Sequence, residues 1–363
     1  MRFPGFTDEW EKTSLGEIGE TLIGLTYSPK DVVENGGTIV FRSSNIQNGM
    51  IDYSDLVRVN KSIKERIITK ENDILVCARN GSTRLIGKNT LLKKSDSGNT
   101  FGAFMMIYRS EDNDIVHPIL STRRYFSQVS ENLGARINQI TTSDLNSFEF
   151  NLPNNPEEKR KIGKLFQLIN ERIATQNKII DNLKSLIKGL AKELTTVGTP
   201  NMCIKDCTEC HSSALQENCV QDYGNFPVYG ASGVAGYTND YQNDGEAILI
   251  IKDGSGVGTL TYVNDRFSII GTLNYLTTKP QISLKYLYFC LMSFNFETYK
   301  TGMAIPHIYF KDYGSAKIWC PPIDEQEKIA ITLSAIENKF NVESILLQSL
   351  ISKKQYLLSQ LFI

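Results

Sequence analysis

Histidine and tryptophan are scarce in this chain, three and two among 363 residues. The histidines, His117, His211 and His307, stand far apart, and none sits in a recognisable triad with a nucleophile, which leaves acid–base and nucleophilic chemistry little to stand on. His117 precedes Pro118 and is expected in a loop. No apolar run approaches the ~18 residues that read as a membrane-spanning helix. The first residues, MRFPGFTDEWEKTSLGE, lack the basic-then-apolar layout of a signal peptide, so a cytoplasmic location is expected. Nucleotide-binding glycine loops are also missing. GSGVG (Gly254 to Gly258) has the wrong spacing for GxGxxG, and TLTYV follows it, a strand pattern where that motif needs a helix. It reads as a tight turn between strands. GSTRLIGKN (Gly81 to Asn89) has one residue too many before Gly-Lys, and Asn89 stands where a P-loop needs Ser or Thr.

Excess charge of either sign is absent as well: 39 basic and 40 acidic side chains give a net charge of −1. That balance excludes a uniformly basic nucleic-acid coat but permits a local basic groove. Seven cysteines, an odd number, argue for reduced thiols over a disulfide framework. Cys203, Cys207, Cys210, Cys219 and His211 are of the types that bind zinc. A second Cys-x-x-Cys or His-x3-His arm is missing, and Cys203, Cys207 and Cys210 also fit one helix face. A cysteine-rich linker or short helix, without metal, is the expectation.

What is present is a globular composition, 41% hydrophobic and 22% charged, and a long internal repeat. Apolar residues recur in alternating steps of four and three at Ile162, Phe166, Ile169, Ile173, Ile180, Leu183, Ile187, Leu190 and Leu194, with Gln176 the one polar member. The same seam returns at Ile329, Leu333, Ile336, Phe340, Leu347, Leu350, Leu357 and Leu361, with Glu343 in the place of Gln176 and Lys354 as a second polar member. Such a narrow stripe, sustained over several heptads, predicts coiled-coil helices. Asn155-Pro156-Glu157-Glu158 supplies a cap, a first-turn proline and an acidic third position, and Asp324 with Glu327 suggests a capping box. The segments before the helices match too. DILVCARNGS (from Asp73) parallels EAILIIKDGS (from Glu246), each a buried strand running into a Gly-Ser turn, and GARINQITTSDL (from Gly134) parallels GMAIPHIYFKDY (from Gly302).

The order is therefore domain, helix, domain, helix: residues 1–152, 153–199, 200–320 and 321–363. Compact domains keep their termini close, which favours an antiparallel helix pair. The expected fold is α+β, two mixed α/β domains joined by two long antiparallel coiled-coil helices with internal pseudo-twofold symmetry. A helix over residues 162–194 would be a rod of roughly 50 Å, on the order of one and a half turns of B-DNA.

Trp10 with SLGEIGE, then FRSSNIQNGMI, NDILVCARNGSTRLIGK, FPVYGASGVAGYT and GSGVGTL, and above all CPPIDEQEKIA before the second helix with LPNNPEEKRKIGK before the first, carry a resemblance over nearly the whole chain. The chain resembles the DNA specificity subunits of type I restriction-modification systems. The resemblance implies a non-catalytic reader of double-stranded DNA with two target-recognition domains, each reading half of a split target. It implies helices that set the gap and dock two methyltransferase (modification) subunits, which bring S-adenosylmethionine and methylate adenine. Restriction subunits with ATP and magnesium would add translocation and cleavage, and no cofactor is expected on this chain. A fused methyltransferase would need a glycine-rich cofactor loop and an (Asn/Asp/Ser)-Pro-Pro-(Tyr/Phe) motif, and neither is present. An alternative is a coiled-coil interaction protein bridging two ligand domains unrelated to DNA.

Candidate DNA contacts follow from residue type and position. Between Arg58 and Lys94 ten basic residues face three acidic ones, a local excess suited to phosphate contacts. Arg79, Asn80, Ser82, Thr83 and Arg84, with Lys88 beyond, occupy the turn after a predicted buried strand, and Lys252, Asp253, Ser255 and Gly256 the corresponding turn. Arg42, Ser43, Ser44 and Asn45 form a second polar loop, paralleled by Tyr229, Gly230, Ala231 and Ser232. Arginine, asparagine and glutamine can read guanine or adenine with two hydrogen bonds. Arg136, Asn138 and Gln139 are candidates on that ground, as are His307, Tyr309 and Lys311 opposite them.

Overall fold

A computed structural model of the chain describes residues 2–133 and 138–362. It divides into two compact units, Met1–Lys178 with Ile345–Ile363, and Ile179–Ser344. Each unit contains one globular domain and a part of both long helices, Pro156–Thr195 and Ile323–Leu361.

In the first unit an antiparallel four-stranded sheet runs in the order Glu20–Ile23, Met105–Arg109, Ile74–Cys77, Asn89–Leu91. Ile74–Cys77 is buried along its whole length, as expected of a continuous apolar run covered on both faces. A second sheet orders Thr100–Phe101, Thr38–Phe41, Val57–Val59 and Val32–Val33, with the first pair parallel. Glu11–Ser14 and Glu149–Leu152 pair antiparallel and close the domain just before the first long helix. The main core joins Val76, Tyr108, Ile119 and Phe148 of the domain to Ile162 and Phe166 of the first helix and to Leu358 and Leu361 of the second.

In the second unit one six-stranded sheet runs Thr208–Ser212, Leu273–Thr278, Asn243–Ile251, Leu260–Ile269, Phe226–Gly230, Gly233–Thr238. Met202–Cys203 and Lys317–Ile318 close it before the second long helix, as the corresponding pair does in the first unit. The core gathers Ile248, Leu276 and Leu287 with Ile187 and Ala191 of the first long helix and Ala330 and Leu333 of the second. The start of the first helix meets the end of the second in one unit and its end meets the start of the second in the other, so the helices run antiparallel within each.

The predicted seam is the packed face. Ile162, Phe166, Ile180, Ile187 and Leu333 are buried, and Ile169, Leu190, Ile329, Ile336, Phe340 and Leu357 pack at the margins of the two cores. Ile173, Leu183, Leu347 and Leu350 are half-buried, and the polar members Gln176 and Glu343 are buried. Each fully buried side chain of this size contributes about 1.5–3 kcal/mol by leaving water.

Both helix starts are rooted by a buried polar side chain. Asn155 Oδ1 accepts from the N–H groups of Glu157 (2.9 Å) and Glu158 (3.3 Å). The Glu158 carboxylate is buried and receives both arms of the Arg2 fork, 2.7 and 2.8 Å, and the Trp10 indole N–H. At the second helix Asp324 is not the cap. The helix begins at Ile323, and the carbonyl of Pro322 takes the N–H groups of Glu325 and Gln326, because two prolines in a row fix the entering backbone. Buried Gln326 then donates to Pro321 O and accepts from Ser283 N–H.

Three further expectations change. His117 lies inside the helix Asn113–Ile119, which accommodates Pro118 near its end, and is not in a loop. Cys203, Cys207 and Cys210 share no helix face: Ile204–Cys207 is a single turn capped by Cys203, and Cys210 sits in the strand Thr208–Ser212. The first long helix stops at Thr195, short of the expected bound at residue 199. Among the described residues no group of three His, Cys, Asp or Glu side chains is placed to hold a metal, and no helix is long and apolar enough to cross a membrane.

Candidate nucleic-acid interface

The buried strand Ile74–Cys77 delivers the chain into a turn held on both sides. The N–H groups of Ala78 and Arg79 both donate to Phe104 O, at 2.9 and 3.0 Å. Opposite them Ile140 N–H donates to Ala78 O at 3.0 Å, Asn80 N–H to Asn138 O at 3.4 Å, and Arg79 bridges to Gln139. The turn opens on a cleft of about 1010 Å³. Its walls are largely apolar, Tyr27, Val57 and Phe104 among them, and Arg42, Ser43, Ser44, Arg79, Asn80 and Asn138 supply the polar part. Two loops distant in sequence and the segment beginning at Asn138 thus meet at one place.

Most polar groups gathered there are already engaged. The Arg42 Nη2 pairs with Asp55 at 2.8 Å, and Asn45 is buried, accepting from Arg42 N–H and donating to Asp52 O and Asp55 O. Asn80 donates its amide to Ser43 Oγ at 3.0 Å and accepts from Ser82 N–H. Asn138, at φ 31°, donates to Gly81 O. Arg79 differs: its guanidinium lies 5.0 Å above the ring of Phe104, itself 58% exposed, and among the described residues it has no hydrogen-bond or ion-pair partner. Ser44, Ser82, Thr83 and Arg84 are exposed, Lys88 and Gln139 half-buried, and Arg136 lies outside the described residues. In the basic stretch, Lys61 pairs with Asp31 and Arg66 with Glu20, which reduces its free charge.

The second unit repeats the device in its own residues. The N–H groups of Lys252 and Asp253 both donate to Thr272 O (3.0 and 3.3 Å), Ile308 N–H donates to Lys252 O (2.9 Å), Gly254 N–H to Pro306 O (2.9 Å), and Asp253 bridges to His307. This ladder sets an equivalence that differs by one residue from the one read in the sequence. Cys77 exchanges hydrogen bonds with Gly87 and Lys88, and Ile251 does so with Gly258 and Thr259, which makes Ile251 the partner of Cys77. Lys252 then takes the place of Ala78, Asp253 that of Arg79, and Thr272 that of Phe104. The second polar loop shifts likewise. Gly102 N–H donates to Phe41 O and Ile270 N–H to Tyr229 O, each at 3.0 Å beside a parallel strand pair. Tyr229 therefore corresponds to Phe41, and Ser232 to Ser44.

The remaining candidates of the second unit lie on the hairpin Phe226–Thr238, in the turn after Ile251 and in the segment from His307 to Lys311. Tyr229 is half-buried, its ring edge-on to Phe267 and its hydroxyl pKa raised by burial. Ser232 is exposed at the tip of the hairpin Phe226–Thr238, and Ser255 is exposed in the turn. The His307 ring meets exposed Tyr309 edge-on at 4.9 Å, and Lys311 Nζ lies 5.2 Å over the same ring. Sequence reasoning missed Phe104 and Thr272, for a lone apolar or hydroxyl residue in a turn carries no periodic signal. The exposure of Phe104 is its only mark, and it appears only after folding.

Comparison with known proteins gives a consistent result. A family profile described as "Type I restriction modification DNA specificity domain" matches residues 7–185 and 199–350. The type I restriction enzyme StySPI specificity subunit of Salmonella potsdam is 26% identical over 194 residues, 51% of this chain and 40% of that protein, so this chain spans well under half of that relative's length. Among solved structures, the S subunit of a type I restriction-modification system from M. genitalium superposes with a TM-score of 0.69 at 17% identity, covering 100% of this chain and 99% of that one. A chain from a study of complex assembly and conformational transition of the type I R-M system gives 0.51 at 15% identity, covering 99% and 98%. At these identities the superpositions speak for the fold.

Proposed function

This chain belongs to the type I restriction-modification DNA specificity family, and on that premise we propose that it is the subunit that reads the target sequence for a modification and restriction complex. Each globular domain reads one half of a bipartite duplex target. The long helices set the gap in the target and dock two modification subunits, which supply S-adenosylmethionine and the methyl transfer to adenine. Restriction subunits, with ATP and magnesium, complete the assembly. The chain itself is a non-catalytic reader.

The observation that carries this reading is the repeated turn. Both units end a buried central strand in the same hydrogen-bonded clamp, yet present different chemistry there, Arg79 in one and Asp253 in the other. Two readers of one design with different contact residues suit a split, asymmetric target. Base recognition needs donors and acceptors held on a rigid backbone, and phosphate contacts add affinity without sequence information. The test is a gel shift with the chain co-expressed with its modification subunits. Sequence-dependent retention of duplex DNA is expected, and retention blind to sequence, or none, overturns the reading.

A further inference from the structure

Which side chain reads a base can be narrowed by asking which donors remain unused. At the cleft of the first unit the Arg42 Nη2 and the Asn45, Asn80 and Asn138 amides are occupied by Asp55, by backbone carbonyls or by Ser43, and the Arg42 Nε, which has no partner, is buried away from solvent. Arg79 has no such partner among the described residues. Its backbone is fixed from both sides, by Phe104 O and by the bridge to Gln139, and its guanidinium rests on the Phe104 ring. A guanidinium stacked on an aromatic face loses little further freedom when its edge makes two parallel hydrogen bonds. That edge matches the O6 and N7 acceptors of guanine in the major groove.

Resting on the reading proposed above, we propose that Arg79 is the base-reading residue of the first unit and specifies a guanine, with Phe104 as its positioning residue, and that Asp253 specifies a cytosine at the equivalent place in the second unit. Asp253 occupies the same rung of the ladder, bridged to His307 as Arg79 is to Gln139, and its carboxylate has no side-chain partner among the described residues. A carboxylate only accepts, and cytosine presents its N4 amino donor in the major groove without the N7 acceptor that stands beside the adenine N6 donor. Thr272 replaces Phe104 and offers no ring, so the second reader lacks the stack. Lys252, one residue earlier, takes the place of buried Ala78.

The test is the methylated motif written by the co-expressed complex in a host lacking other modification, read by single-molecule sequencing. The wild-type motif should contain a guanine in one half that changes to adenine with Arg79→Gln, since a glutamine amide pairs with adenine N6 and N7. Methylation at the original site should fall roughly 10- to 100-fold while the other half of the motif stays the same. Phe104→Leu should admit a second base at that one position and leave every other position intact, a result that a general loss of structure would not produce. Asp253→Asn should act on a cytosine of the other half. An Arg79→Gln complex with no methylation shifts the test to Arg79→Lys, which should keep guanine with weaker discrimination. A wild-type motif without guanine, an unchanged motif in Arg79→Gln, a different base chosen by Arg79→Lys, or loss spread evenly over all positions overturns the assignment. A wild-type complex with no sequence preference would instead overturn the reading on which it rests.

Discussion

Asp73 stands immediately before the buried strand that leads to the Arg79 turn, with its side chain 2% exposed, and both arms of the Arg109 guanidinium reach it, at 2.8 and 2.7 Å. Removing the cation would leave a buried carboxylate unpaired, which costs far more than losing a surface pair. Arg109→Ala should therefore destabilise the first unit by about 3 kcal/mol, read as a lower urea midpoint. A loss no larger than that of a surface substitution would show that the pair is dispensable. His117 makes the stability of the first unit depend on pH. Burial in the helix Asn113–Ile119, with the charge of Lys354 nearby, lowers its pKa to about 3. Its unfolded value is ~6.5, so in acid below that value the unfolded chain binds a proton that the folded chain refuses. Stability from this group is complete above the unfolded value and falls as pH drops from there toward the folded one, by at most about 1.4 kcal/mol per pH unit. His117→Asn should flatten that decline between neutral and mildly acidic pH. Equal acid slopes in the two proteins would exclude the group. Residue types were legible in the sequence, but their availability was not. Asn80 and Arg79 are neighbours of similar promise until Ser43, far away in sequence, takes the asparagine amide.

Helical elements were read more successfully than loops, and the reason is periodicity. A stripe repeated over many turns averages out local noise, and Phe166, fully buried against Leu358 and Leu361, lies where the four-three rhythm puts it. Leu168, two residues on, falls off the stripe and is half exposed. Phe166→Ala should cost about 3–5 kcal/mol through lost burial and a residual cavity, whereas Leu168→Ala should stay within about 0.5 kcal/mol in the isolated chain. Equal losses measured by urea unfolding would mean that the seam is misassigned. Strand-to-turn elements have no such redundancy. One residue more in the strand Asn243–Ile251 moves Lys252 to the rung of Ala78 and brings Asp253 to that of Arg79, an inversion of charge that aligned letters conceal. The start of the second long helix escaped for a related reason, since Asp324 has the composition of a cap while Pro322 holds the geometry.

At the scale of the whole chain the near-zero net charge is an average of unlike parts. Residues 201–320 carry eight basic and eleven acidic side chains, whereas Arg58 to Lys94 holds ten basic against three acidic. Backbone attraction scales with the phosphates neutralised, so on the proposed reading the second domain should have little grip of its own, and ion pairs such as Arg66–Glu20 should thin out that of the first. The isolated chain should therefore bind DNA no more tightly than about micromolar at physiological salt, in the range of non-specific association. Specific binding should appear when modification subunits add their own cationic surface. Titration of labelled duplex with the chain alone and with the complex measures this, and nanomolar sequence-specific binding by the chain alone would refute the shared grip. The same division of labour predicts the outcome of exchanging residues 1–152 for those of a family member with another target. The first core is built from this domain and from Ile162, Phe166, Leu358 and Leu361, so the exchange must respect those helix contacts to fold at all. Given that, only one half of the methylated motif should change. A change in both halves would mean that the two readers are not independent, and the split target would then have to be read by the chain as a single surface.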